Sequence, residues 1–339
     1  MKKVPISVAI FVFILISACT NPFGPQQTPA ARPELYTGTE GISASIIEHT
    51  PQAYEDQPFR MSVYLHNKGT HTLTGSEQGV YTLIYEHQYI EVQNVQYSGT
   101  GSASTYQLEG KTLANPYGQE NRINYMLRTK NLPPQSQHYT TDLIFQTCYP
   151  YKTTATIPVC IDTDLQETPN QVCEAGTQTH PEGQGAPVAV TEVNTIMIPR
   201  TTTTEKAFTP RERADIQHAR IPGETVPETY SETSTYVQPL FEITLENLGG
   251  GQVLRSGTAR DFCQGTQEPR NMNIINVTVQ LQDRPLDCQS PIRMTPGQTL
   301  VRCRGDLLTP GAAYTSQIEI ELTYDYATTA ATTLDIQQT

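Results

Sequence analysis

Tryptophan is absent from this 339-residue chain, and basic residues number only 22 against 34 acidic ones, for a formal net charge of −12. Binding to nucleic acid or to anionic lipid headgroups rests on Lys and Arg neutralising phosphate, so this balance argues against both. The nearest approach to a basic cluster, Arg211, Arg213 and Arg220, is interleaved with Glu212 and Asp215. No Cys-x-x-Cys pair occurs, which removes the spacing of zinc ribbons and thioredoxin-type redox sites. GxSxG, HExxH and P-loop motifs are missing as well, and Gly99-Thr-Gly101 lacks the strand–helix context of a dinucleotide site and reads as a turn. Lack of Trp also counts against a dedicated carbohydrate module. The chemistry calls for no cofactor, no metal and no catalytic residue, and the expected class is non-enzymatic.

Long apolar runs are missing except for one. Val4–Ile16 follows Lys2-Lys3 and precedes Ser17-Ala18-Cys19. Two positive charges, an apolar stretch shorter than the ~20 residues that span a bilayer, and small residues before a cysteine have the form of a secretory signal. Ile16-Ser17-Ala18-Cys19 resembles the lipobox of lipoprotein signals, with Ile where Leu is usual. The resemblance implies a signal peptide over 1–18, lipid on Cys19, and a protein held on the extracytoplasmic side of the cell membrane. Plain secretion and a retained anchor are the competing readings. Residues 19–40, with four prolines, read as a lipid-attached flexible stalk. A partly polyproline-II stalk of this length reaches up to ~60 Å at ~3 Å per residue. Without Lys2 and Lys3 the mature chain has 20 basic against 34 acidic residues, a charge near −14.

With Cys19 assigned to lipid, six cysteines remain: Cys148, Cys160, Cys173, Cys263, Cys288 and Cys303. An even number in an exported chain points to disulfides. Three fall in each half, so if all pair, an odd number of bridges joins the halves. The spacing does not choose among the connectivities.

What the chain does contain is a duplication. Phe59-Arg-Met61-Ser-Val63-Tyr-Leu65-His-Asn67-Lys-Gly69 matches Pro239-Leu-Phe241-Glu-Ile243-Thr-Leu245-Glu-Asn247-Leu-Gly249 at an offset of 180. At an offset of 175, Tyr149-Pro-Tyr151 and Thr153-Thr154-Ala155 match Tyr324-Asp-Tyr326 and Thr328-Thr329-Ala330. Thr, Tyr, Val and Ile suit pleated, half-buried surfaces, and the segments alternate with period two. The expected fold class is all-β: two tandem Ig-like antiparallel β-sandwich domains over 40–161 and 187–339, after the signal and stalk. Residues 162–186 read as a polar linker, and 200–235 as an insertion, with Thr209-Pro210-Arg211-Glu212 starting a short helix over 210–219. Strands are expected to break near 149–152 and again near 326–328.

The Asn-x-Gly strand endings and the tandem arrangement resemble the adhesion-related Ig-like modules called CARDB or NEW3. Cys148-Tyr-Pro-Tyr-Lys-Thr-Thr-Ala-Thr, Val159-Cys160-Ile-Asp and Gly183-Gln-Gly-Ala-Pro-Val-Ala-Val are similar to segments of uncharacterised two-domain cell-surface proteins of small-genome archaea. That resemblance implies a fold and a location, and no activity.

The remaining candidates each carry a plain structural reading. His66 and His71 flank one turn and read as polar residues at a strand end. His49, His87, His138, His180 and His218 have no ligand-like spacing. Asp162, Asp164 and Glu167 lack the calcium-loop pattern and read as linker acidity. Tyr81, Tyr85, Tyr89, Tyr97 and Tyr106 form either a stacking row for glycan or protein, or core packing. Asn276-Val277-Thr278 is an N-glycosylation sequon inside an expected strand. The expected role is structural or adhesive, with the membrane engaged through the lipid and an extracellular protein or glycan as partner. A solute- or substrate-binding lipoprotein is the alternative, and it requires a pocket between the domains.

Overall fold

A computed structural model describes residues 35–102, 104–164, 171–219, 227–266 and 268–339. The signal, Cys19, most of the stalk and Glu167 lie outside the described residues. Leu35–Thr339 form one compact unit. The first half supplies β1 (Ile42–His49), β2 (Gln52–Tyr54), β3 (Pro58–Asn67), β4 (Gly79–Ile84), β5 (Ile90–Tyr97), β6 (Thr105–Tyr106), β7 (Glu120–Thr129) and β8 (His138–Ile161). The second supplies β9 (Thr177–Thr179), β10 (Val188–Ala207), α1 (Pro210–Ala219), β11 (Thr229–Asn247), β12 (Gln252–Leu254) and α2 (Ala259–Cys263). It ends in β13 (Ile274–Leu281), β14 (Arg284–Pro285), β15 (Asp287–Cys288), β16 (Ile292–Arg293), β17 (Gln298–Arg304) and β18 (Tyr314–Gln337).

The fold is an all-β sandwich of three sheets. One is β1-β3-β7-β5, built from the first half, and one is β15-β17-β11-β10-β9, from the second. The third is shared: β14-β13-β18-β8-β4-β6, with β12 and β2 also on β18. All ladders are antiparallel except the three-residue pairing of β2 with β18. Alternation explains the layers. In β3, Phe59, Met61, Val63 and Leu65 are buried, and in β11, Val237, Phe241, Ile243 and Leu245 are. They join residues of the shared sheet in one continuous core.

The expected breaks near 149–152 and 326–328 are absent. β8 and β18 each run unbroken for 24 residues. They pair with one another along their whole length, His138 opposite Gln337 and Ile161 opposite Tyr314. Pro150 lacks an N–H, but the ladder is non-local and buries Tyr149, Tyr151, Tyr324 and Tyr326 on one face, which outweighs the local turn signal. Each long strand thereby serves both halves. The first part of β8 lies beside β4, while its second part runs alongside the first part of β18, which carries β13. Residues 183–187, at the end of the linker segment, are buried.

The region 200–235 is more ordered than a loop. Arg200–Ala207 of β10 pair with Thr229–Tyr236 of β11, an extension that the Thr-rich sequence, polar on both faces, did not announce. Between them α1 starts where the capping residues place it. The Glu212 carboxylate accepts from the Thr209 hydroxyl at 2.7 Å and from its N–H at 2.8 Å, which holds the Glu212 carboxyl below the usual carboxylate range.

Candidate functional site: a tyrosine box, an open strand edge and a projecting arm

The duplicated motifs meet at the centre of the molecule. Tyr149, Tyr151, Tyr324 and Tyr326 form a closed ring of neighbours, with centroids 5.9–6.3 Å apart. Each hydroxyl is occupied. The Tyr149 hydroxyl donates to Ile42 O at 3.2 Å, and Tyr324 accepts from the Val188 N–H at 3.1 Å. Threonines reach across reciprocally: Thr328 donates to Ile42 O and Thr153 to Val188 O. Thr153 and Thr328 are repeat counterparts, so β1 and β10 are each held by a tyrosine of their own half and by the other half's threonine. Tyr151 donates to Gly185 O at 2.6 Å, and Tyr326 to Asn247 Oδ1 at 2.7 Å. Burial pushes the phenols of Tyr151 and Tyr326 up to about 12, and those of Tyr149 and Tyr324 well above their ordinary value.

The same ring explains the Asn-x-Gly endings. Asn67 donates to His71 O and Asn247 to Gly251 O, each at 2.8 Å. A Cβ on Gly69 would lie 1.8 Å from the Tyr151 hydroxyl, and one on Gly249 would lie 2.7 Å from that of Tyr326. Glycine is required there by close approach to the tyrosines.

Disulfides close the scaffold. Cys148–Cys263 joins the two halves, while Cys160–Cys173 and Cys288–Cys303 are local, so one bridge crosses between the halves. Cys263 ends α2, which sits over Asp325. The Asp325 carboxylate accepts from the Ala259 N–H at 2.6 Å. Burial nevertheless raises its carboxyl to about 6, against the pull of the N–H donors of Ala259, Gly257 and Thr258.

Away from this centre two features are open. The first is a groove of about 740 Å³ whose walls include Tyr36, His71, Lys152, Thr154, Thr156 and His180. Its volume is within the ~300–1,000 Å³ of ligand pockets. It follows an unpaired edge: β4 accompanies β8 only from Ile144 to Cys148, and among the described residues no strand pairs with that side from Tyr149 to Ile161. The related edge of β18 is covered, by β12 at Asp325–Ala327 and by β2 at Asp335–Gln337. His71 contacts Glu77 at 3.2 Å and packs edge-on to Tyr151, and burial lowers its pKa. His180 is likewise lowered by burial, and its Nε2 has no partner among the described residues. Lys152 pairs with Glu321 at 3.2 Å.

The second feature is the arm. Along Arg200–Ala207 and Thr229–Tyr236 most residues are exposed, and neither strand has a second neighbour among the described residues. β9 touches β10 only at Glu192–Asn194, and β17 touches β11 only at Leu240–Glu246. An isolated two-stranded ribbon is marginally stable in water, and its free edges are templates for pairing.

The sequence-level candidates fall as follows. Tyr81 and Tyr106 are buried, and Tyr85, Tyr89 and Tyr97 pack partly buried against the core, so that row is packing. His66 bonds Tyr117 O and sits beside Glu120, while His71 contacts Glu77. Asp162 Oδ1 accepts the Asp164 N–H, a local turn. Among the described residues no cluster of three or more His, Cys, Asp or Glu is placed to hold a metal. Asn276 and Thr278 are both exposed on β13. His71 and His180 share the groove although they lie far apart along the chain, a proximity for which the sequence carries no signal.

No family model matches the chain, and no curated protein matches it. Among solved structures, the C-terminal domain of the Streptococcus agalactiae AgI/II polypeptide BspA aligns over 87% of this chain and 99% of that one, at 6% identity and a TM-score of 0.14. A chain named BspA_C_mut aligns over 89% and 99%, at 6% identity and a TM-score of 0.16. Likeness of that size carries no argument about this chain.

Proposed function

We propose that this is a lipid-anchored extracytoplasmic protein with a non-enzymatic structural or adhesion role, engaging an extracellular protein or glycan. The observation that carries the role is the arm: paired strands exposed on one face and half-buried on the other, with no further strand neighbour among the described residues and tipped by α1, on a scaffold crossed by a disulfide. Such a projection is useful to a protein that presents a surface, since binding elements sit on exposed segments held by a rigid core. The compartment rests on the pairing of all six cysteines after Cys19, which an oxidising environment permits, and on the signal and lipobox pattern. The resemblance to two-domain archaeal cell-surface proteins of the CARDB or NEW3 type belongs to this proposal and rests on the motif residues alone.

The test replaces residues 200–236 with a two-residue turn and compares surface-crosslinked cells. The proposal expects an unchanged melting temperature and loss of the partners captured by the intact protein. Identical partners and an unaltered envelope in the variant contradict it.

The groove favours a second reading, a solute- or substrate-binding lipoprotein, because His180 Nε2 is buried at its wall and has no partner among the described residues. This reading expects small polar solutes to raise the melting temperature of the intact chain and not of the His180→Ala variant.

A further inference from the structure

The arm and the groove are both unfinished β structure, and they belong to one chain. We propose that the β10 edge of the arm of one molecule adds as a strand to the open β8 edge in the groove of the next, so that the protein assembles with copies of itself. The inference rests on the reading of the chain as a surface protein with a structural role, and it names the partner.

The geometry sets a register. Antiparallel addition with Lys152 opposite Glu205 places Thr154 opposite Thr203 and Thr156 opposite Thr201. Within each strand these residues alternate, so they share one face. Thr201, Thr203 and Glu205 are exposed on the arm, and Thr154 and Thr156 are exposed on β8. Opposite charges and Thr–Thr pairs directly across an antiparallel ladder are favourable pairings. Glu205 adds a second carboxylate to Lys152, already beside Glu321. Alternate N–H and C=O groups on each edge, without a strand partner among the described residues, find partners in the ladder.

The chain itself shows that such an edge accepts strands. The related side of β18 carries β12 and β2, and the counterpart on β8 carries nothing among the described residues. The contact joins two different surfaces, so it is heterologous. Repetition closes a ring or extends an open filament.

The test uses the full-length protein. Thr154→Cys and Thr203→Cys are made in separate chains and mixed under mild oxidation, so that a 154–203 bridge forms only between molecules. The six native cysteines that follow Cys19 are already paired. The proposal expects a 154–203 linked peptide, its loss when the Thr203→Cys chain also carries Glu205→Lys, and its return when that chain meets Thr154→Cys carrying Lys152→Glu. Melting curves of the single variants, all at surface positions, check that each is folded. A chain that stays monomeric at every concentration, with no 154–203 peptide, overturns the proposal. So does a groove that takes another protein's strand while self-linking fails, and that outcome leaves the partner-recognition reading standing.

Discussion

Pro150 lies opposite Asp325 at the centre of the longest ladder in the molecule. On either side the pairing is reciprocal: Tyr149 faces Tyr326 and Tyr151 faces Tyr324. Tyr149 and Tyr324 are repeat counterparts, as are Tyr151 and Tyr326, so a pseudo-twofold axis passes through the Pro150–Asp325 pair. The halves are related as two subunits of a dimer would be, with their long strands exchanged. The symmetry breaks at the axis itself, where one half has proline and the other a buried carboxyl under α2.

That carboxyl makes stability depend on pH in a defined window. Its folded pKa is raised from 3.8 to about 6. The stabilisation linked to its protonation is therefore complete below pH ~4 and is lost as pH rises through about 6. The shift corresponds to about 3 kcal/mol. Asp325→Asn keeps an acceptor for the Ala259 N–H and removes the titration. Urea denaturation of the variant and the native protein side by side gives the difference in their unfolding free energies. That difference is expected to move in the variant's favour by roughly 3 kcal/mol between pH ~4 and pH ~7.

The tyrosine box acts at the alkaline end of the scale. With folded values raised above 10, its stabilisation is present at neutral pH and is lost as pH rises from ~10 through about 12 and beyond. Absorbance titration of the phenols is expected to show the box ionising together with the loss of tertiary structure.

Gly69 and Tyr151 are expected to be energetically coupled. Gly69→Ala forces a Cβ against the Tyr151 hydroxyl and costs about 1–3 kcal/mol, as overpacking does. Tyr151→Phe removes that oxygen, so the double variant loses less than the sum of the single ones. Additive losses in thermal unfolding contradict the contact.

Strand exchange predicts mutual dependence. Residues 35–186 made alone lack β18 beside β8, and 187–339 made alone lack β8 beside β18. Neither is expected to unfold cooperatively by calorimetry, whereas the two co-expressed fragments form one complex. Cys148→Ser with Cys263→Ser in the intact chain is expected to cost several kcal/mol, because the bridge closes a span of 115 residues and loops near 100 residues give ~5 kcal/mol.

The strands that alternate, such as β3, β7 and β13, were legible because one face is core and the other is not. Helix α1 was legible from Thr209 and Glu212, whose capping is local. The continuity of β8 through Tyr149-Pro150-Tyr151 was not, since it depends on a partner strand far away in the chain. The arm's strands were hidden for a related reason: Thr201–Thr204 carry no apolar side to mark a pleat. Cysteine parity required a bridge between the halves, yet nothing in the spacing singled out Cys148 with Cys263. The groove was invisible because His71, Lys152 and His180 come from three separated segments.

One strand-exchanged, cross-bridged body has a covalent signature, and the proposed lipid on Cys19 would be part of it. Mass spectrometry of the mature protein purified without reductant reads that signature in a single experiment. The expected result is a lipid-modified Cys19 at the N-terminus and linked peptides 148–263, 160–173 and 288–303. A lipid-free chain with free thiols at Cys148 and Cys263 is incompatible with such a body.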